Sequence, residues 1–150
     1  MSITIEDASI QHLDELFSIE TECFKKEAFT RQQIARLLTD YSCIGIIAKE
    51  NSQVVGFCIA SIYYERSSMV GHILTIDVLP AFRRKDIGAR LLQEIEGLLR
   101  NKGAKSMRLE VREDNAAAMA LYQKMGYSRI GKLRNYYVNA HGIYMGKQLT

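Results

Sequence analysis

A strand that runs through a basic turn into an amphipathic helix constrains the fold more than any other feature of the sequence. The strand predicted over residues 71–78 stops at Pro80, the only proline in the chain. Three cations follow at residues 83–85, and apolar residues then recur at helical spacing up to Gly103, which is expected to end the helix. The free N–H groups at the start of such a helix favour an anion, so this turn is a candidate phosphate site.

The basic turn does not identify its ligand by itself. It contains neither the GxxxxGK[ST] pattern of a Walker loop nor a dinucleotide-binding fingerprint. A solvated basic helix start would have the same pattern, and that alternative stays open at this point. The net charge of +3, from 20 basic and 17 acidic residues, is too small to indicate a general nucleic-acid binder.

The other predicted elements lie on both sides of this unit. Strands are expected at residues 2–8 and 107–113, with hairpins around the turn at residues 50–52 and the loop at residues 139–142. Helices are expected at residues 10–23, at residues 31–38 behind the N-cap Thr30, and at residues 116–125 between Asp114 or Asn115 as N-cap and Gly126. This mixed order predicts one α/β domain with a mixed sheet, spanning residues 1–150.

The cysteines and the N-terminus favour a cytoplasmic protein. Cys23, Cys43 and Cys58 are odd in number and form no CxxC pair, which disfavours a disulfide framework and a zinc site. The N-terminal segment alternates apolar and polar residues and lacks the basic start and apolar run of a signal peptide. The longest apolar stretch, at residues 44–48, is far shorter than the roughly 20 residues that a membrane span needs.

Two linked segments resemble the GNAT superfamily of acetyltransferases. HILTIDVLPAFRRKDIGARLLQEI is similar to that family's acetyl-CoA motif, and LEVREDNAAAMALYQKMGY is similar to the second half of its cofactor site. With the later RNYY, the pattern resembles the RimI-type and NatA catalytic-subunit branch, whose members acetylate protein N-terminal α-amines. The resemblance is strong over residues 72–137. It implies an α/β domain whose mixed, mostly antiparallel sheet is splayed between two strands, with helices on both faces.

Three residues are candidates for the chemistry. Glu110 lies in the middle of a predicted strand, opposite its apolar side chains, and Tyr122 follows in a helix. A carboxylate and a tyrosine can serve as general base and general acid, although an exposed glutamate and a half-buried tyrosine would show the same spacing. The resemblance assigns the base role to Glu110, acting through water, and the acid role at the CoA sulfur to Tyr122. His72 is a second candidate base, but a histidine held by backbone contacts at a strand start is the more ordinary interpretation.

The resemblance also implies an acetyl-CoA site without a metal. Arg83 aligns with the Arg or Gln of the family motif, Gly88 with its second glycine, and Asp86 with its first, where it departs from the pattern. A carboxylate there repels a diphosphate unless it points to solvent or pairs with a neighbouring cation, so we expect Asp86 to do one of these as the helix N-cap. The implied cofactor-binding residues are Ile76, Asp77, Val78, Arg83, Arg84, Lys85, Asp86, Ile87, Gly88, Ala89, Asn115 and Tyr122.

The acceptor groove implied by the resemblance lies between residues 24–29 and the terminal hairpin. Its candidate substrate-binding residues are aromatic: Phe24, Phe29, Tyr136 and Tyr137. The expected acceptors are protein or peptide N-termini, and the resemblance allows association with the ribosome or an auxiliary subunit. No nucleic acid or membrane partner is expected, and the chain is expected to be a monomer or homodimer.

Two other functions stay open at the level of sequence. A small-molecule acetyltransferase of the polyamine type would need an acidic groove, and Lys25 and Lys26 argue mildly against one. A catalytically silent CoA-binding domain is favoured only by Asp86. The presence together of Glu110, Asn115 and Tyr122 argues for an active enzyme.

Overall fold

The computed structural model describes residues 2–149. Within them, seven strands form one sheet in the order β1-β2-β3-β4-β5-β7-β6. The strands are β1 (Ile3–Asp7), β2 (Cys43–Glu50), β3 (Gln53–Glu65), β4 (Ser68–Val78), β5 (Ser106–Arg112), β6 (Ser128–Tyr137) and β7 (Ala140–Gln148). The α-helices are α1 (Leu13–Phe24), α2 (Arg31–Thr39), α3 (Ile87–Asn101) and α4 (Ala116–Lys124). Short 3₁₀ turns cover Ile10–His12, Lys25–Glu27 and Pro80–Phe82.

The sheet is antiparallel except where β4 meets β5. These two strands pair in parallel over only three residues, Val70–His72 with Ser106–Arg108. The rest of β4, up to Val78, pairs on its other side with β3. The edge of β4 that faces β5 is therefore left open beyond His72. The splayed, mostly antiparallel sheet expected from the sequence is confirmed.

Helices cover both faces of the sheet. On one face, α1 and α2 bury Leu16 and Ile34 against Phe57 of β3, and all three side chains are fully buried. On the other face, α3 and α4 pack over Met107 of β5, and Leu91 of α3 is fully buried in the same cluster. Because each face of the sheet is apolar, burying both of them against helices is the main favourable term in folding.

Two helix starts follow the expected capping chemistry. The Thr30 hydroxyl accepts a hydrogen bond from Gln33 N at 3.1 Å, and Gln33 Oε1 accepts one from Thr30 N at 2.8 Å, so α2 begins with a capping box. Asn115 Oδ1 accepts from Ala118 N at 3.1 Å and caps α4. Of the two expected caps for α4, Asn115 is correct, and Asp114 pairs with Arg112 instead.

Two strand limits differ by more than one residue from the sequence-based expectation. β4 starts at Ser68 rather than residue 71, because Arg66 and Ser67 both adopt positive φ (51° and 69°) and form a tight turn. Neither residue is typical of such turns, so the local sequence did not mark it. In the terminal hairpin the turn is confined to residues 138–139, with φ of 60° at Asn139. Residues 140–142, expected in the loop, belong to β7.

Candidate active site

His72 and Glu110 lie together where β4 and β5 separate. His72 Nε2 is 2.8 Å from Glu110 Oε1, and their side chains are only 21% and 17% exposed. Tyr63 of β3 lies on the other side of the imidazole, with its hydroxyl 3.5 Å from His72 Nδ1. The interpretation of His72 as a histidine held by backbone contacts is therefore wrong, because its ring nitrogens meet two side chains. The two candidate bases, treated as alternatives from the sequence, form one contact.

Tyr122 lies in α4 and is 7% exposed. Burial raises the pKa of its phenol, and the nearby groups of Cys58 and Asp77 act in the same direction. Its ring stacks edge-on against Tyr127, with centroids 6.0 Å apart. A phenol with a raised pKa keeps its proton at neutral pH, so Tyr122 has the protonation state that a general acid needs.

The start of α3 is open to an anion. Asp86 occupies the N-cap position, as expected, but its side chain accepts no capping hydrogen bond. Its backbone is left-handed (φ 62°), a conformation that aspartate tolerates better than most residues, and its side chain is exposed. The first N–H groups of α3 are therefore not hydrogen-bonded by the carboxylate of Asp86.

Gly88 lets α3 lie close to α4, since a Cβ at this position would be 3.1 Å from Leu121 Cδ2.

The cations of the basic turn face different ways. Arg83 Nε donates to the carbonyl oxygen of Val78 at 3.0 Å, and Arg83 Nη2 is 3.6 Å from Cys23 Sγ. Lys85 Nζ lies 5.4 Å from the ring centroid of Phe82. Arg84 is exposed, with a left-handed backbone (φ 64°). The guanidinium of Arg83 thus ties the turn to the end of β4, and Arg84 is left at the surface.

Asp77 and Asn115 are occupied by structural contacts. The Asp77 side chain is 1% exposed and lies beside Thr75 and Glu20, toward α1, and its backbone pairs with Phe57 of β3, so neither faces the open edge of β4. Asn115 uses Oδ1 to cap α4, which leaves its amide N–H groups for a ligand. Ile76 and Val78, which flank Asp77, are half-buried against the α3 face.

An arginine that was not singled out from the sequence joins the two walls of the expected acceptor groove. Arg112 Nη1 donates to Glu27 Oε1 of the α1–α2 loop at 2.5 Å and to Val138 O of the β6–β7 hairpin at 3.2 Å. Its guanidinium also lies 5.7 Å from the ring centroid of Tyr137. The alternation along β5 places residues 108, 110 and 112 on one face, and this was the sequence feature that could have indicated Arg112 as a residue near Glu110.

The aromatic candidates lie on these two walls. Tyr136 and Tyr137 pack edge to face at the end of β6, with centroids 4.9 Å apart. Burial raises the pKa of both phenols. Phe24 ends α1, and Phe29 follows in the α1–α2 loop, where its N–H donates to Glu20 Oε2 at 3.0 Å. The structure thus brings the aromatic candidates onto elements that Arg112 links.

The chain has the sequence pattern of a known family. The model of the acetyltransferase (GNAT) family matches residues 10–127. The chain belongs to this family. An N-alpha-acetyltransferase from Sulfurisphaera tokodaii is 27% identical over 150 residues, which cover 94% of this chain and 89% of the relative. The bS18-alanine N-acetyltransferase of Salmonella typhimurium is 33% identical over 92 residues, 61% of this chain and 60% of the relative.

The fold of this GNAT acetyltransferase is also similar to solved structures. The crystal structure of Ard1 from Thermoplasma volcanium superposes with a TM-score of 0.89 at 28% identity, over 100% of this chain and 99% of that one. The family, fold class and acetyltransferase activity expected from the sequence are confirmed. The roles of individual residues stay predictions. Within residues 2–149, no helix is long and apolar enough to cross a membrane, and no group of three or more His, Cys, Asp or Glu side chains is arranged to hold a metal ion.

Proposed function

We propose that this GNAT enzyme acetylates the N-terminal α-amine of proteins or peptides in a ternary complex with acetyl-CoA. The observation that carries the proposal is the His72–Glu110 contact of 2.8 Å at the mouth of the β4–β5 splay. Glu110 and Arg112 share one face of β5, and Arg112 bridges the walls of the groove. The similarity to N-alpha-acetyltransferases over nearly the whole chain supports a protein N-terminus as the acceptor.

The residues present fit acetyl-CoA as the donor. The open edge of β4 beyond His72 offers backbone groups that can pair with the amides of the pantetheine arm. The uncapped N–H groups at the start of α3 can bind the diphosphate, with Arg84 as a nearby exposed cation. Acetyl-CoA supplies an activated thioester, and every other requirement of the reaction falls to side chains of this chain.

Removal of a proton from the amine is the role proposed for Glu110. An α-amine has a pKa of about 8, so a carboxylate that acts through one water suffices as the base near neutral pH. With Glu110 ionised, His72 Nε2 carries the hydrogen that joins the two groups, and Nδ1 faces the Tyr63 hydroxyl. The imidazole therefore fixes the direction of the carboxylate. Tyr122, with its raised pKa, provides the proton for the departing sulfur.

The acceptor peptide is proposed to lie between the α1–α2 loop and the β6–β7 hairpin. Tyr136 and Tyr137 can hold an extended backbone, since a phenol offers an apolar ring and a polar tip. Lys25 and Lys26 on the loop disfavour a basic second residue and tolerate an acidic one.

The proposal is tested by thiol release from acetyl-CoA with peptides that begin with Ser, Ala, Met-Leu or Met-Glu, compared with spermidine. Peptide-dependent turnover is expected, and Glu110→Gln should lower kcat by about 10²-fold or more if the carboxylate is the base. Glu113→Gln is the matched control, since Glu113 is a neighbouring surface carboxylate paired with Lys132 at 3.5 Å. Turnover with spermidine but not with any peptide would show that the acceptor is a small amine. Binding of acetyl-CoA without any turnover would indicate a catalytically silent domain.

A further inference from the structure

A buried polar cluster lies between α1 and β4, next to the proposed active site. Thr75 Oγ1 is 2.7 Å from Glu20 Oε1 and 2.7 Å from Asp77 Oδ1. Glu20 and Asp77 are each 1% exposed, and Thr75 is 6% exposed. Two carboxyl groups thus meet one hydroxyl where water does not reach. No step of the proposed reaction uses any of the three.

The number of hydrogens at Thr75 requires an additional proton. A threonine hydroxyl has one hydrogen and can donate it to only one of the two carboxyl oxygens. The second short contact needs a hydrogen from the carboxyl group itself, so either Glu20 or Asp77 is a carboxylic acid. Two bare carboxylates in this position would also repel each other in a medium that screens charge poorly.

The other contacts place that proton on Asp77. Glu20 Oε2 accepts from Phe29 N at 3.0 Å, so both oxygens of Glu20 receive hydrogens and the group suits the ionised form. Asp77 Oδ2 is buried and has no hydrogen-bond partner. An unpartnered carbonyl oxygen of an acid costs far less than an unpartnered carboxylate oxygen. The chain of donors therefore runs from Asp77 O–H to the Thr75 hydroxyl and on to the Glu20 carboxylate.

The groups around the cluster also favour the protonated form of Asp77. Burial raises the pKa of Asp77 well above its ordinary value, the charge of Glu20 acts in the same sense, and Arg83 opposes them. The ionisable groups around the cluster are Glu20 and Cys23 from α1 and Arg83 from the basic turn, and Cys58 of β3 and Tyr122 of α4 lie on the opposite face of the sheet. Burial raises the pKa of both thiols and of the phenol, so Arg83 is the one cation among them.

We propose that Glu20, Thr75 and Asp77 are positioning residues that hold the α1–α2 loop against β4 through one trapped proton. At one end, Glu20 fixes the backbone of Phe29 on the acceptor wall. At the other end, Asp77 lies between Ile76 and Val78 on the strand proposed to pair with the cofactor. The inference rests on the proposed function for its kinetic consequence, because the two ends of the cluster hold the acceptor and the donor sides of the site.

The kinetic consequence is a pH-sensitive acceptor site. When the pH rises through the folded pKa of Asp77 and the proton is lost, two carboxylates face one hydroxyl, and the contact that holds Phe29 weakens. The KM for the peptide should then rise more than kcat falls. Asp77→Asn keeps a donor toward Thr75 and removes the titrating group, so this variant should keep the KM that wild type has at low pH and should lose the rise in KM at higher pH. Thr75→Val keeps the side-chain shape, breaks the chain of donors, and should raise the peptide KM by about tenfold.

The experiment combines three readouts on the full chain. Infrared spectroscopy at neutral pH should show a protonated-carboxyl band that shifts in heavy water and is missing from Asp77→Asn. Hydrogen exchange at the Phe29 amide should be faster in Thr75→Val than in wild type and Asp77→Asn. Peptide KM and kcat are then compared across pH. A band that persists in Asp77→Asn, or a Phe29 amide unaffected by Thr75→Val, overturns the inference. Because these two readouts need no turnover, a chain inactive on peptides contradicts only the proposed function.

Discussion

The trapped proton makes a quantitative prediction about stability. Asp77→Asn replaces a buried acid by a neutral group of the same shape that cannot titrate. The pKa of Asp77 is raised above the ordinary value of 3.8, chiefly by burial and then by Glu20. Between these two pKa values the folded protein keeps the proton and the unfolded chain loses it. The stability that Asp77 contributes is thus fully present below pH 3.8 and is lost as the pH rises toward the folded pKa.

The size of the effect follows from the one proton involved. Inside this window, the unfolding free energy of wild type falls by about 1.4 kcal/mol per pH unit relative to Asp77→Asn. Two pH units therefore separate the proteins by about 2.7 kcal/mol, which for a chain of this size corresponds to about 5–10 °C in Tm. Most other groups titrate alike in both proteins, so their contributions cancel in the difference.

Urea unfolding from pH 5 upward measures this difference directly. The unfolding free energy of Asp77→Asn minus that of wild type should increase steadily with pH and reach a plateau at the folded pKa of Asp77. Asp40→Asn is the control, since hydrogen bonds from Ser42 lower the pKa of that exposed carboxyl. Above pH 5 Asp40 is ionised in both the folded and the unfolded protein. The difference in unfolding free energy between Asp40→Asn and wild type should therefore not change with pH. A flat or falling difference for Asp77→Asn would show that Asp77 is ionised in the folded protein and would refute the trapped proton.

Three further perturbations have defined outcomes. Lys147→Met leaves Glu96, 6% exposed and 2.8 Å from Lys147 Nζ, without its cation, and should cost about 3 kcal/mol in urea unfolding; a loss below 1 kcal/mol contradicts this. Gly56→Ala places a Cβ 2.7 Å from the carbonyl oxygen of Asp77 and should cost about 1–3 kcal/mol, unless β3 and β4 separate freely. Asp86→Gly should bind acetyl-CoA at least as tightly as wild type by calorimetry, and weaker binding argues against repulsion by its carboxylate.

Local sequence signals predicted the elements well where each signal acts within a few residues. The capping box at Thr30 involves Gln33, three positions away, and the N-cap Asn115 bonds the N–H of Ala118. The basic turn and α3 were predicted for the same reason, because a proline stop and helical periodicity are both local. Asp86 is the N-cap residue of α3, as expected, and its exposed side chain accepts no hydrogen bond from the helix start.

The contacts that form the site join residues far apart in sequence. His72 and Glu110 are 38 residues apart, Thr75 and Glu20 are 55 apart, and Arg112 and Glu27 are 85 apart. These pairs depend on the order of the strands and on where the parallel pairing of β4 and β5 ends, which periodicity does not encode. Alternation could place Arg112 and Glu110 on one face of β5, but it could not choose their partners.

The α1–α2 loop is held by two contacts that respond differently to pH. At the Phe29 end, the Glu20 contact depends on the proton of Asp77. At the other end, Glu27 pairs with Arg112, whose pKa is raised, chiefly by its hydrogen bond with Asp114, so this contact persists at alkaline pH. A pH above the folded pKa of Asp77 should therefore release the loop at Phe29 while Arg112 still holds Glu27. The α1–α2 loop would then become more mobile near Phe29 while the Glu27–Arg112 contact stays in place. For this reason we expect a higher peptide KM rather than loss of turnover.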